Sequence, residues 1–230
     1  DSFESTSLVS LKWITTMNNL ESKKRLSQFL ESFHLLSTEE LAIFLRAFKY
    51  QQTKRNQPIT SCVDSKPRLY FVADGLLRHF STMPNTTQQD STIDRGFVLP
   101  STFCLSAASF QPTKVTIIHS ETIKRTTLLY LDHCLLDQLF VQIPVLSLLF
   151  RQLMELYFFE MEHLNLILHM GNCQMRYEYY CLHFAGHIKQ VPDKYIAQFL
   201  NISPSELSRI RSRMAKGKPF KANASPSFVD

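Results

Sequence analysis

The chain has 230 residues, 44% of them hydrophobic and 20% charged. Those proportions exclude disorder as the dominant state, and 18 Phe, 8 Tyr and one Trp supply a sizeable core. Only 5 Gly argues against a glycine-rich nucleotide loop and against an all-β protein full of tight turns.

No apolar run reaches the roughly 18 uncharged residues of a membrane span. Residues 1–24 mix charged and polar groups, so no secretory leader is expected. Five cysteines (62, 104, 134, 173 and 181) form no C-x-x-C pair and read as reduced, apolar residues of a cytoplasmic protein. The net charge of +5 is uneven: residues 1–188 hold 17 Lys/Arg and 17 Asp/Glu, whereas 189–230 hold 8 and 3. A neutral body with a basic end favours a polyanionic partner, because clustered cations release its condensed counterions.

Leu8, Leu11, Ile14, Leu20, Leu26, Phe29, Leu30 and Phe33 predict one or two amphipathic helices over 7–32. Ser37 and Glu40 have capping-box spacing and start a helix over 38–50, with Leu41, Phe44, Leu45 and Phe48 inward. From residue 51 the texture becomes polar. Leu69–Ala73 and Leu76–Phe80 flank Asp74-Gly75 and predict a β-hairpin. Further strands are expected at 96–99, 115–123 and 126–131, which together suggest a small antiparallel barrel or roll over 51–131.

Helical spacing returns with Leu135, Leu136, Leu139 and Phe140, and Pro144 opens a longer helix. Over 145–169 one stripe runs through Phe150, Met154, Tyr157, Met161, Leu164 and Leu168. A shorter stripe runs through Leu146, Leu149, Leu153 and Leu156. The short stripe is expected to pack on the roll and the long one to form a coiled-coil seam with a second copy. Gly171-Asn172 ends this helix, and another is expected over 174–188.

Residues 192–216 read as a helix-turn-helix. Ile196, Phe199 and Leu200 face inward, Ala197 is small where helices cross, and Asn201 tolerates a left-handed turn. Ser203, Pro204 and Glu206 have the N-cap, first-turn and capping-box positions of a second helix. Leu207, Ile210 and Met214 face inward; Ser205, Ser208, Arg209, Ser212 and Arg213 face outward, with Arg211 on a flank. A short, polar, cationic helix face is what entry into a major groove requires.

The whole pattern resembles the Crp/Fnr family of bacterial transcription regulators, over roughly residues 26–216. The residues that carry the resemblance are Leu69–Arg78 in the roll, then Tyr195–Leu200 and Leu207–Arg211. It is most like the short members from Bacteroidetes. The resemblance implies an α+β fold: N-terminal helices and an antiparallel, cupin-like β-roll (1–143), a long dimerisation helix (144–170) and a helix-turn-helix domain with a basic tail (171–230). It implies base reading by Ser205, Ser208 and Arg209, and phosphate contacts from Ser203, Arg211, Arg213 and Lys216. Expected partners are double-stranded DNA, a second copy of the chain, RNA polymerase and an unidentified small-molecule effector. Many members have Glu at the position of Ser205, so their DNA preference does not transfer.

Members that bind cyclic nucleotides need a Gly-Glu pair and an Arg. Here the matching stretches are Phe103-Cys104-Leu105-Ser106 and Pro112–Thr116, which offers only Lys114. No tight binding of cyclic AMP is expected. No cysteine cluster suits an iron–sulfur centre, His79, His119, His133 and His163 carry no haem signature, and no metal site or other cofactor is expected. H-E-x-x-H, G-x-S-x-G and P-loop patterns are absent, so no catalytic residues are assigned. The competing expectation is a small-molecule-binding or protein-interaction dimer that does not read DNA.

Overall fold

A computed structural model describes residues 2–60, 67–83, 91–105 and 118–215. The chain divides into two compact units, Asp1–Met161 and Glu162–Asp230. The division falls inside the long helix rather than at 143 and 170.

The first unit starts with one helix, α1 (Ser2–Glu31), followed by α2 (Thr38–Ala47). The Ser37 hydroxyl accepts from the Glu40 amide and the Glu40 carboxylate accepts from the Ser37 amide, so both arms of the capping box form. Eight strands follow: β1 (Lys49–Thr53), β2 (Pro58–Thr60), β3 (Arg68–Asp74), β4 (Leu77–Met83), β5 (Ser91–Val98), β6 (Thr102–Cys104), β7 (His119–Thr122) and β8 (Thr126–Asp132). They form two four-stranded sheets, in the orders β1-β8-β3-β6 and β2-β7-β4-β5, and every pairing is antiparallel.

The strand β3 explains the core. Successive side chains point to opposite faces. Leu69, Phe71 and Ala73 join Leu129, Leu131 and Phe103 in a cluster with Leu26 and Leu30 of α1 and Phe44 of α2. Tyr70 and Val72 face the other way, into the space between the sheets, with Ile59, Leu77, Val98, Cys104 and Leu128. Both faces are covered, so the sequence there is continuously apolar rather than alternating. Leu20, expected on the inner face of α1, is exposed.

The Asp74-Gly75 turn is not a hairpin. Strand β3 pairs with β6 and β8, whereas β4 pairs with β5 and β7. The turn instead carries the chain from one sheet to the other. Gly75 has φ +113°, and a Cβ there would lie 2.6 Å from the Thr126 Cα. The Leu76 amide donates to the Thr126 hydroxyl at 3.2 Å. Glycine is needed both for the backbone conformation and for the close approach.

Helices α3 (His133–Gln142) and α4 (Val145–Met170) follow β8. Leu146, Leu149 and Leu153 pack in the helix-covered cluster as the short stripe predicts, while Leu156 is exposed. Of the long stripe, two members are buried within the chain itself and four keep exposed surface. Phe150 is buried in the same cluster, with its ring 5.3 Å from Phe140 and 6.3 Å from Phe44, and Tyr157 packs partly buried against it. Leu164 is buried, Met161 and Leu168 are half-buried, and Met154 is exposed. The two stripes lie only about 80° apart at about 100° per residue, so one broad helix side carries both. Further apolar residues are open on the opposite side, at Leu148, Phe159, Leu166 and Met170, and Phe158 is exposed between the two sides.

Within the roll, His79 is buried with its Nδ1 2.8 Å from the Ser120 hydroxyl and its Nε2 3.8 Å from the Cys104 Sγ. Burial, aided by the charge of Arg95, lowers the His79 pKa to about 4, and burial pushes the Cys104 thiol up to about 12.

Two outcomes follow from this packing. Gly75→Ala should lower stability by about 2 kcal/mol or more, read as the thermal midpoint by circular dichroism. His79 is neutral when folded, whereas an unfolded histidine titrates near about 6.5. The unfolded chain therefore binds the extra proton between pH about 6.5 and about 4, and stability falls as pH is lowered through that window. Denaturant melts at about pH 7 and about pH 4.5 should show a larger loss for the natural chain than for His79→Asn.

Candidate nucleic-acid interface

The second unit contains α5 (Cys173–His183), a short 3-10 turn (Ile188–Gln190), α6 (Asp193–Phe199) and α7 (Pro204–Ala215). Asn172 caps α5, its side-chain oxygen accepting from the amides of Gln174 and Met175 at 3.0 Å. The side chains of Tyr177, Tyr180, Ile196, Ala197, Phe199, Leu200, Leu207 and Ile210 are buried.

The turn between α6 and α7 is built as the residue types predict. Asn201 is left-handed, with φ 51°. Its amide donates to the Gln198 carbonyl at 3.1 Å, and the Ile202 amide donates to the Ala197 carbonyl at 3.0 Å. That pair of bonds is the Schellman arrangement, which closes a helix and turns the chain sharply. Ser203 then caps α7: its hydroxyl accepts from the Glu206 amide at 3.1 Å and lies 2.9 Å from the Ser205 hydroxyl. Unlike Glu40 in α2, Glu206 reaches forward, its carboxylate accepting from the Arg209 guanidinium at 3.1 Å.

Two arginines brace this assembly. Arg176 of α5 donates to the carbonyls of Gly171, Leu200 and Asn201 at 3.0, 3.2 and 3.3 Å. It therefore occupies acceptors at the end of α6. The sequence reading did not single it out, because one Arg on an ordinary helix carries no local sign of a capping role. Arg211 of α7 donates to the Tyr177 hydroxyl at 3.1 Å and to the Asp193 carboxylate at 2.7 Å. The expected phosphate contact is thus tied into an intramolecular bracket joining α5, α6 and α7.

The remaining expected residues lie outward. Ser203, Ser205, Ser208, Arg209, Ser212 and Arg213 are exposed. From Ser205 to Arg213 their spacing of three and four residues places them on one face of α7. Met214, expected inward, is 41% exposed in the last turn of the helix. Lys216 lies outside the described residues, as do Ser106 and Lys114. Among the described residues no helix is long and apolar enough to cross a membrane.

No protein-family model matches the sequence, and no curated protein matches it either. Solved structures do match. FixK2 from Bradyrhizobium japonicum aligns with TM-score 0.62 at 14% identity, covering 74% of this chain and 85% of that one. A protein from Eubacterium rectale, described as a transcriptional regulator of the Crp/Fnr family, aligns with TM-score 0.59 at 15% identity, covering 80% and 87%. A CooA mutant from Carboxydothermus hydrogenoformans aligns with TM-score 0.58 at 13% identity, covering 75% and 78%. The chain shares the fold of these proteins. The α+β expectation, with helices around an antiparallel roll, agrees with it.

Within this fold, Arg211 and Arg209 separate by role although they lie two residues apart. Arg211→Ala should cost about 2 kcal/mol of the second unit's stability, the worth of a charge-assisted bracket that is partly solvated. Arg209→Ala should stay within about 0.5 kcal/mol of the natural chain, as an exposed surface change. Urea melts followed by circular dichroism compare them.

Proposed function

We infer that the chain is a homodimeric, sequence-specific DNA-binding transcription regulator whose roll serves as an effector domain. The observation that carries this reading is the exterior of α7. A short helix, capped by Ser203 and braced by Arg176 and Arg211, presents three serines, Arg209 and Arg213 to solvent on one side. An arginine fork matches guanine O6 and N7, a serine hydroxyl reaches base edges or phosphates closely, and a helix N-terminus favours a phosphate.

Arg209 and Ser208 are the proposed base readers, with Ser205 beside them. Ser203 and Arg213 are proposed to meet phosphates, joined by Lys216. Dimerisation is proposed through α4, on the face that carries Leu148, Phe159, Leu166 and Met170. Phe159 is 71% exposed and Met170 79%, and a second copy would remove both from water. Two such chains would set their α7 helices about 34 Å apart, one turn of duplex, on a pseudo-palindromic site.

The roll is proposed not to take cyclic AMP. Phe103, Cys104 and Leu105 stand where a Gly-Glu pair would be needed, and all three are buried as core. The architecture of the neighbours favours a regulator over an enzyme.

Binding to genome-selected duplexes over a salt series tests the reading. Affinity should fall steeply as salt rises, and a duplex bearing one half-site should bind far more weakly than the full site. Arg209→Ala should cost about 1–3 kcal/mol and relax the preference at one base pair, whereas Arg213→Glu should weaken all sequences alike. A chain whose DNA affinity ignores both substitutions is an interaction module instead. Arg211 is unsuitable for this comparison because its loss disturbs the helix mounting.

A further inference from the structure

The second unit carries a histidine pair that the α7 surface does not use. His163 on α4 and His183 in the last turn of α5 have ring centroids 6.0 Å apart. Tyr179 stacks on His183 at 3.8 Å and meets His163 edge-on at 5.4 Å. The His183 Nδ1 lies 2.9 Å from the backbone carbonyl of Tyr179. A carbonyl oxygen only accepts, so Nδ1 donates, and in the neutral ring Nε2 then carries the lone pair. Metal-bound imidazoles are held in this way: one ring nitrogen donates to a carbonyl, which fixes the tautomer and the ring, and the other faces the ion. His163 is exposed, and among the described residues no hydrogen bond engages either of its ring nitrogens.

We propose that His163 and His183 form a two-nitrogen chelate for a borderline divalent cation of the Zn2+, Ni2+ or Cu2+ class, set against Tyr179. Imidazole suits these ions and not Mg2+ or Ca2+, which take oxygen donors. Two imidazoles on one tetrahedral ion, with metal–nitrogen bonds of about 2.0–2.1 Å, have ring centres about 5 Å apart. The pair must therefore close by about 1 Å, which rotation of the solvent-exposed His163 side chain supplies. No group of three or more His, Cys, Asp or Glu side chains gathers at metal distance among the described residues, so water completes the coordination shell. The ion cross-links α4 to α5 within the second unit. Because it binds the folded arrangement, it stabilises that unit by mass action. The chelate is independent of the DNA reading and does not need it.

Titration of the whole natural chain with Zn2+ alone, and separately with Ni2+ alone, in a calorimeter tests the site. One ion per chain should bind, and His163→Gln and His183→Ala should each weaken it by roughly tenfold or more. His169→Ala, a change at an exposed histidine elsewhere on α4, should leave it unaltered. Zn2+ should raise the thermal midpoint of the natural chain and not that of His163→Gln, a surface change that preserves the fold. Equal affinity in the natural chain and in His163→Gln, or a midpoint shift that survives this substitution, overturns the proposal.

Discussion

The left-handed backbone at Asn201 sets the direction in which α7 leaves α6, and so determines which of its side chains meet solvent. A β-branched residue there would pay a steric cost that asparagine largely avoids. The turn holds because its polar groups have partners. The Schellman amides satisfy Ala197 and Gln198, and Arg176 covers the carbonyls of Leu200 and Asn201. The hydroxyl of Ser203 then takes over at the first turn of α7. A helix end buried without such partners would be unstable, and its outer face would have no fixed aim.

Charge in this unit does two different jobs, and net charge alone does not distinguish them. Arg176 and Arg211 point inward across the helix surfaces and are consumed in holding the assembly. Arg211 is also near the Tyr177 ring, at 5.7 Å from its centroid. Arg209 and Arg213 point outward and are available to a polyanion. Counting all basic residues of 189–230 as one electrostatic footprint therefore overstates what a duplex would meet.

Elements marked by local chemistry were legible in the sequence: the Ser37 box, the break at Pro144, the helix end at Gly171-Asn172 and the Asn201 turn. Each is specified by residues within a few positions of one another. The misread elements depend on distant partners. Asp74-Gly75 looks like a hairpin because glycine in a tight turn is common, yet what demands glycine is the approach of Thr126, about fifty positions away. Strand β1, Lys-Tyr-Gln-Gln-Thr, is polar and by its own sequence reads as helix end and loop; it forms because β8 offers it a ladder. The long helix shows how periodicity can mislead. Its dense stripes are partly taken up by the chain's own core, through Leu146, Leu149, Phe150 and Leu153, and the opposite face is interrupted by Gln152, Glu155 and His163, so it does not stand out as a stripe. The His163–His183 pair was invisible for the same reason, since twenty positions separate its members and only the packing of α4 on α5 joins them.

The Glu206–Arg209 contact bears on how α7 would discriminate bases. Arg209 is 68% exposed and its partner 26%, and a solvated pair of this kind is worth about 0–1 kcal/mol. A bidentate contact to guanine gives about 1–3 kcal/mol of discrimination, so the arginine can leave Glu206 for a base at small net cost. Until it does, the carboxylate keeps the guanidinium close to the helix and limits the entropy lost on docking. The hydroxyl of Ser205 both donates and accepts. It therefore discriminates weakly between base edges. On the proposed reading the surface is unequal: Arg209 would carry most of the sequence preference, while the serines and Arg213 would set depth and register.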